Sequence, residues 1–381
     1  MIITYDMYHF ETLPPNAKNQ MLTATCEKAV QIAIEYFSHL IKIIPRTKSE
    51  MKYQDGECGD VEVPTRDMMI GKNSDLNLYV QYNMDEDEDY YAYSFTGVDS
   101  LLLRTPNVLK FAQQYFGCPT LEGMPLQNSG GEDSENSHWE NTILQSEYMN
   151  TSISLTQAYF SGFTANLLRD TGFYAEIDSS MEEQIFYGKG KGCEHVMGKC
   201  RTSTREYCNP KTDQGLCDFY HHGSSKCTVS VFNDANCNNL LNNTKLKCWD
   251  VNSEQNKKDI LEDHGTKFGI DSRCFNGNLL TNKKKYVEKI MGTCYKHECS
   301  SNGQQLTIYV GQEKLICRQN LEKKTVKNYN GYILCPESIQ EFCGFKKICP
   351  NFCSTNGYCL KNKCHCKKGF FGEDCSSNKP V

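Results

Sequence analysis

At 381 residues, with 39% hydrophobic and 11% aromatic content, the chain is long enough for two or three domains, each burying a core of its own. A formal net charge of -6 without a clustered basic excess excludes the electrostatic footprint of a nucleic-acid binder. No stretch of eighteen apolar residues occurs, so no transmembrane segment is expected, and the final EDCSSNKPV lacks the hydrophobic tail of a lipid-anchor signal.

The opening MIITYDMYHFETLPPNAK has no basic region followed by an apolar core. It does not read as a secretory signal peptide, and the sequence is expected to be incomplete at its start. Over residues 19–44, Leu22, Cys26, Ala29, Ala33, Phe37, Leu40 and Ile44 recur at helical spacing up to Pro45, which predicts one long helix. Leu76, Leu78, Val80 and Tyr82 alternate through Asp75–Tyr82 as in a half-buried strand. The acidic run Asp85–Asp89 reads as a solvated loop, since no glycine turn or distal glutamate completes a calcium loop. Residues 105–118 predict a short helix with Thr105 as cap, Pro106 in the first turn and Gly117 at the end. A further helix is expected over Ser154–Asp170, closed by Gly172.

The 22 cysteines are unevenly placed: Cys26, Cys58 and Cys118 precede residue 193, and nineteen lie between Cys193 and Cys375. An even total at loop-like spacings reads as a disulfide framework formed in an oxidising compartment, so an extracellular or cell-surface location is expected. The sequons at Asn150 and Asn242 agree with a secretory route. From Gly188 onward, long apolar periodicities give way to short strands and loops held by bridges. The glycine-rich stretch 188–193 does not match a phosphate loop and reads as a tight turn into the first bridge. His221, His222 and Cys227, with Cys208 and Cys217, could be drawn as a metal site, but in an oxidising compartment those cysteines are expected to pair with each other. The order of helix, strand, helices and then a cysteine-rich β-like region argues for an α+β fold in several domains.

The last six cysteines run C-x3-C-x5-C-x4-C-x-C-x8-C, with Gly369, Phe370 and Gly372 before the final one. Six cysteines allow fifteen pairings in principle. This segment resembles an EGF-like module, and the resemblance implies the pairs Cys349–Cys359, Cys353–Cys364 and Cys366–Cys375. It lacks the acidic pattern of calcium-binding relatives, so no calcium is expected there. So small a unit has little core, and its bridges must supply most of its stability.

The segment SENSHWENTILQSEYM (134–149) carries one of only two tryptophans in the chain, beside His138, with Met149 eleven residues on. Catalytic zinc needs three protein ligands and an open fourth position where a bound water is acidified. Two histidines on one helix face with a glutamate between them, H-E-x-x-H, are the usual start of such a site, and a third ligand with a methionine turn completes it. Ser137, His138, Trp139, Glu140, Glu147 and Met149, with TPNVLKFAQQYFGC before them and LLRDTGFY and FYGKGKGC after, resemble the leishmanolysin family of zinc metallopeptidases. The appended EGF-like unit resembles the ciliate-type branch of that family. The resemblance implies a metzincin-like catalytic fold, zinc as cofactor, proteins or peptides as substrates, His138 as a metal ligand and Met149 as the Met-turn.

The first two ligands and the base are missing. The resemblance places H-E-x-x-H between the Asp75–Tyr82 strand and the helix that begins at Thr105, where this chain has only NMDEDEDYYAYSFTGVDSLLLR. No histidine lies between His39 and His138. The one His-Glu pair, His297-Glu298, has Ser301 where a second histidine would stand, and it sits among disulfide cysteines. The junction of Ser94 with Phe95 reads as a join across a lost active-site helix. The expected organisation is therefore a remnant of the N-terminal catalytic domain over 1–95 and a central helical domain with His138 and Met149 over 96–190. A cysteine-rich, β-like C-terminal domain follows over 191–345, then an EGF-like module over 346–376. Residues 1–95 are expected to be the least well-ordered part and the bridged half the most robust. The chain is expected to be an inactive member of the metalloendopeptidase family that does not retain zinc, with no catalytic residue. The alternative is a non-catalytic secreted or cell-surface protein whose cysteine-rich and EGF-like regions adhere to other cell-surface proteins.

Overall fold

The computed structural model describes residues 2–11, 13–43, 57–58, 61–63, 68–69, 76–80, 102–128, 137–151, 158–198, 200–202, 204–229, 237–286 and 288–379. Helix Ala17–Leu40 starts at Asn16, whose side-chain oxygen accepts from the Asn19 amide at 2.8 Å. It ends at Leu40, not at Ile44. Ile41–Ile43 instead forms a strand antiparallel to Tyr174–Ile177, about 130 residues away in sequence. β-Branched Ile41 and Ile43 suit a pleated, half-buried surface, and a partner strand that periodicity cannot reveal decides the matter. Leu76–Tyr79, inside the expected strand, pairs in parallel with Ile3–Asp6. Asp75, Tyr82, the Asp85–Asp89 run and the Ser94–Phe95 junction lie outside the described residues.

Helix Pro106–Phe116 has proline in its first turn and Gly117 at φ 72° as its left-handed cap. The Thr105 side chain does not cap it. The Asp170 carboxylate does so from a neighbouring helix, accepting from the Asn107 and Val108 amides, each at 3.0 Å. That neighbour begins at Gly162 and runs to Asp170, eight residues later than expected, with Ser161 accepting from the Phe163 amide. Before it the chain is extended, because the Tyr159 backbone exchanges hydrogen bonds with Ser146 and Tyr148 at 2.8 and 2.9 Å. Residues 154–157 of the expected helix lie outside the described residues. The two helices touch at Gly162, where a Cβ would stand 2.4 Å from the Phe111 ring.

Beyond residue 190 the chain builds a six-stranded antiparallel sheet. Its order is Glu313–Cys317, Leu306–Val310, Met291–Cys299, Ser272–Gly277, Ile333–Leu334 and Lys323–Lys324. A hairpin of Gly223–Thr228 with Asn239–Lys247 stands beside it. Seven bridges hold this region and its neighbours: Cys118–Cys193, Cys200–Cys237, Cys208–Cys227, Cys217–Cys274, Cys248–Cys294, Cys299–Cys343 and Cys317–Cys335. One apolar core extends from Val108 on the first central helix through Trp139, Phe163 and Tyr187 to Phe275 and Phe345. The central helices and the cysteine-rich sheet thus pack on each other. No described helix is long and apolar enough to cross a membrane.

The C-terminal unit is a hairpin, Gly357–Leu360 with Lys363–Cys366, closed by Cys349–Cys359, Cys353–Cys364 and Cys366–Cys375. It rests on the N-terminal helix. Tyr358 meets Tyr36 edge-on at 5.0 Å, and Leu360 joins Tyr36, Leu40, Ile177 and Met181 in a second core. The Lys361 amide donates to Glu183 at 3.1 Å. Leu360 is therefore the wedge between the first helix and the last hairpin. Leu360→Ala should weaken this seam by about 2–5 kcal/mol. Amide exchange should then speed up in Ala17–Ile43 and Tyr174–Met181 while all ten bridges stay oxidised. Unchanged exchange there would mean the seam does not stabilise the helix.

Candidate functional site

The segment around His138 is threaded between two extended stretches. The Gln127 amide donates to the His138 carbonyl at 2.8 Å, and the Trp139 amide donates to the Met149 carbonyl at 2.9 Å. His138 and Met149 are thus brought side by side, both half-buried, with Met149 packed on the main core. Trp139 is fully buried and tilts against Phe163 at 6.0 Å.

Beneath this arrangement lies a buried carboxylate. Glu147 accepts from the Met149 amide at 2.6 Å, the Ser161 hydroxyl at 2.7 Å, the Ser161 amide at 3.3 Å and the Thr164 hydroxyl at 2.8 Å. Thr164 in turn accepts from the Trp139 indole at 2.9 Å. One chain of bonds therefore runs from the tryptophan beside His138, through the start of helix Gly162–Asp170, to the methionine turn. Burial pushes the Glu147 carboxyl above its usual range despite these four donors. Glu140 is buried as well, accepting from the Thr142 amide at 3.1 Å and the Asn128 amide at 3.3 Å. Glu140 and Glu147 belong to the recognised motif, but the Ser161 and Thr164 donors to Glu147, 14 and 17 residues away, carry no sequence signal.

Among the described residues, the donors around His138 do not make up a zinc centre. Three protein ligands are required. Among the described residues, the single group of three His, Cys, Asp or Glu side chains within metal-binding reach is Cys349, Cys353 and Cys364. All three are oxidised into disulfides. His195, His221, His222 and His297 have structural surroundings. His195 contacts the Ile143 carbonyl at 3.1 Å through Nε2, under the turn where a Cβ on Gly188 would strike its ring. In the His221, His222 and Cys227 group, Cys227 pairs with Cys208, while Cys217 pairs with Cys274. His221 Nδ1 lies 2.6 Å from the Cys274 carbonyl, and His222 Nδ1 lies 3.4 Å from Asp218. His297 sits on the central strand, and Glu298 points away to the Tyr309 hydroxyl at 2.5 Å.

Two predictions come from this geometry. Thr164→Val should leave the Trp139 indole and one Glu147 oxygen short of a partner, costing about 1–3 kcal/mol. A lowered unfolding midpoint with a shifted Trp139 indole resonance checks it, and an unchanged midpoint refutes it. The second concerns acid. Burial pushes His221 down to about 4 and His297 to about 3. The unfolded chain therefore binds more protons below about pH 6.5, and stability should fall as pH drops from there towards 4. Burial also works against the Asp218 carboxylate, but His222 and the Gly223 amide more than offset it and hold it below its usual range, so it adds to the loss at lower pH. His221→Asn, which tolerates the local φ of 59°, should flatten this slope in denaturation midpoints taken across the window.

With the geometry in place, likeness to known proteins can be stated. Residues 94–238 match the sequence model of the leishmanolysin peptidase family. The chain is 28% identical over 258 residues to the ciliated left-right organizer metallopeptidase of Danio rerio, covering 65% of this chain and 39% of that protein. It is 24% identical over 353 residues to a leishmanolysin-like peptidase of Caenorhabditis elegans, covering 73% of this chain and 50% of that one. It is 36% identical over 100 residues to the leishmanolysin-like peptidase of Drosophila melanogaster, covering 26% of this chain and 14% of that one. The chain thus spans half or less of the length of these relatives. The matched span contains the His138–Met149 segment and the buried carboxylate below it, so it is this part of the chain that is similar to the leishmanolysin peptidases.

Proposed function

We propose that this chain is a leishmanolysin-type peptidase scaffold that does not itself hydrolyse peptide bonds. His138 corresponds to the family's third zinc ligand and Met149 to its Met-turn. The observation that carries the reading is that no histidine lies between His39 and His138, and no H-E-x-x-H occurs anywhere in the sequence. A single imidazole does not hold zinc against water, since catalytic sites use three protein ligands. Ten disulfides support a location outside the cell or at its surface. There the chain acts by binding other proteins through its cysteine-rich region and the EGF-like unit.

The test uses the full chain, oxidised and dialysed against zinc. Metal content well below one zinc per chain is expected, with casein cleavage no greater than that of His138→Ala. Chelator-sensitive cleavage abolished by His138→Ala overturns the proposal. The message should also be sequenced across the codons for Tyr90 to Ser100. An exon encoding H-E-x-x-H there would replace this reading with that of a secreted zinc endopeptidase acting on protein substrates, with His138 as a ligand.

A further inference from the structure

A cleft of about 220 Å³ opens where the central strands of the six-stranded sheet meet Trp249 and the Phe342–Ile348 segment. Phe342, Phe345 and Ile348 give it an apolar wall, while Trp249, Arg273, His297 and Lys347 give it a polar one. Two buried polar atoms on these side chains have no hydrogen-bond partner among the described residues, the Trp249 indole nitrogen and His297 Nδ1. An indole N–H can only donate, so what it lacks is an acceptor. A buried donor left without one costs about 1–3 kcal/mol.

The lining carries three basic side chains, Arg273, Lys296 and Lys347, against two acids, Asp271 and Glu298. Arg273 is 6% exposed, and its guanidinium donates only to carbonyls, those of Tyr220 at 2.8 Å, Phe345 at 3.2 Å and Lys346 at 2.8 Å. Those bonds take three of its five N–H hydrogens, and the buried Asp218 carboxylate, which also faces His222, offsets part of its charge. Lys296 and Lys347 add two more cations to the lining. Of the two acids in the lining, Glu298 is bonded to the Tyr309 hydroxyl and lies 3.7 Å from Lys296, and Asp271 is on the exposed rim. Burial and the Arg273 cation push His297 down to about 3 against a hydrogen bond to the Asp271 backbone, so at neutral pH its ring is uncharged. The cleft therefore combines an unsatisfied indole donor, a neutral imidazole and an excess of one cation in its lining with an apolar wall.

We propose that this cleft binds a carboxylate, carried by a peptide C-terminus or by a small organic acid, with Trp249, His297, Arg273 and Lys347 around the oxyanion and Phe342 and Ile348 against its carbon chain. Its volume is below the roughly 300–1,000 Å³ of drug-sized sites, so it takes a group of side-chain size and not an extended ligand. The site is independent of whether the chain cleaves peptides, and it gives the binding role a chemical class of partner.

Trp139 and Trp249 are the two tryptophans of the chain, so two indole N–H resonances report on the whole molecule. The full oxidised chain is titrated with N-acetylalanine as a C-terminal mimic, with succinate as a free acid, and with inorganic phosphate. The Trp249 resonance should move saturably with an affinity on the order of 1 mM for either carboxylate. The Trp139 resonance, already bonded to Thr164, should stay in place. N-acetylalanine binding more tightly than succinate assigns the peptide source, and the reverse order assigns the free acid. Lys347→Glu, at an exposed position, should weaken binding about tenfold. His297→Phe should weaken it further. The proposal is overturned if Trp249 does not move, if phosphate alone moves it, or if both variants bind as the parent does.

Discussion

The Glu147 carboxylate is the point on which the central part of the molecule depends. A carboxylate withdrawn from water costs several kcal/mol unless donors replace the lost hydration. Here four donors do so, and hydrogen bonds to a charged group are worth about 1.5–3 kcal/mol each. Because those donors come from the Met149 turn and the first turn of helix Gly162–Asp170, satisfying one buried group fixes both. The Thr164 hydroxyl passes the constraint on to Trp139. His138, the residue before it, is placed as a consequence.

Covalent constraint takes over where burial is thin. The last unit has a small sulfur-rich core, and its three bridges close loops of nine to eleven residues. A disulfide typically adds about 2–4 kcal/mol, which is decisive for a unit of that size. Yet the unit does not stand alone, because Leu360 and Tyr358 pack on the N-terminal helix. The cysteine-rich sheet is likewise joined to the central helices through Phe275, Phe342 and Phe345 as well as through the Cys118–Cys193 bridge. Covalent links and apolar packing thus tie the same regions together.

What was legible in the sequence follows from the range over which each signal acts. Helix Pro106–Phe116 announced itself through Pro106 and Gly117, since both act within a turn. The strand at Leu76–Tyr79 followed from alternation. The helix that ended early at Leu40, and the one that began late at Gly162, were misjudged for a shared reason. Their boundaries are set by Tyr174–Ile177 and by Ser146–Tyr148, which compete for the backbone from a distance. The cap on Pro106–Phe116 was placed on Thr105 because local rules look to the preceding residue, whereas Asp170 supplies it from 63 residues on.

The sequence by itself determined the likeness to the leishmanolysins, the expectation of a disulfide framework from 22 cysteines, and the absence of H-E-x-x-H. These depend on which residues are present and on short spacings. Tertiary structure decided what those residues do. It converted Cys208, Cys217 and Cys227 from drawable metal ligands into two bridges, and it made Glu147 the anchor of the Met149 turn. It also gathered Trp249, Arg273 and His297 from separate strands and loops around one cleft. Such groupings depend on burial and on pairing between distant segments, and neither is encoded in the neighbourhood of any single residue.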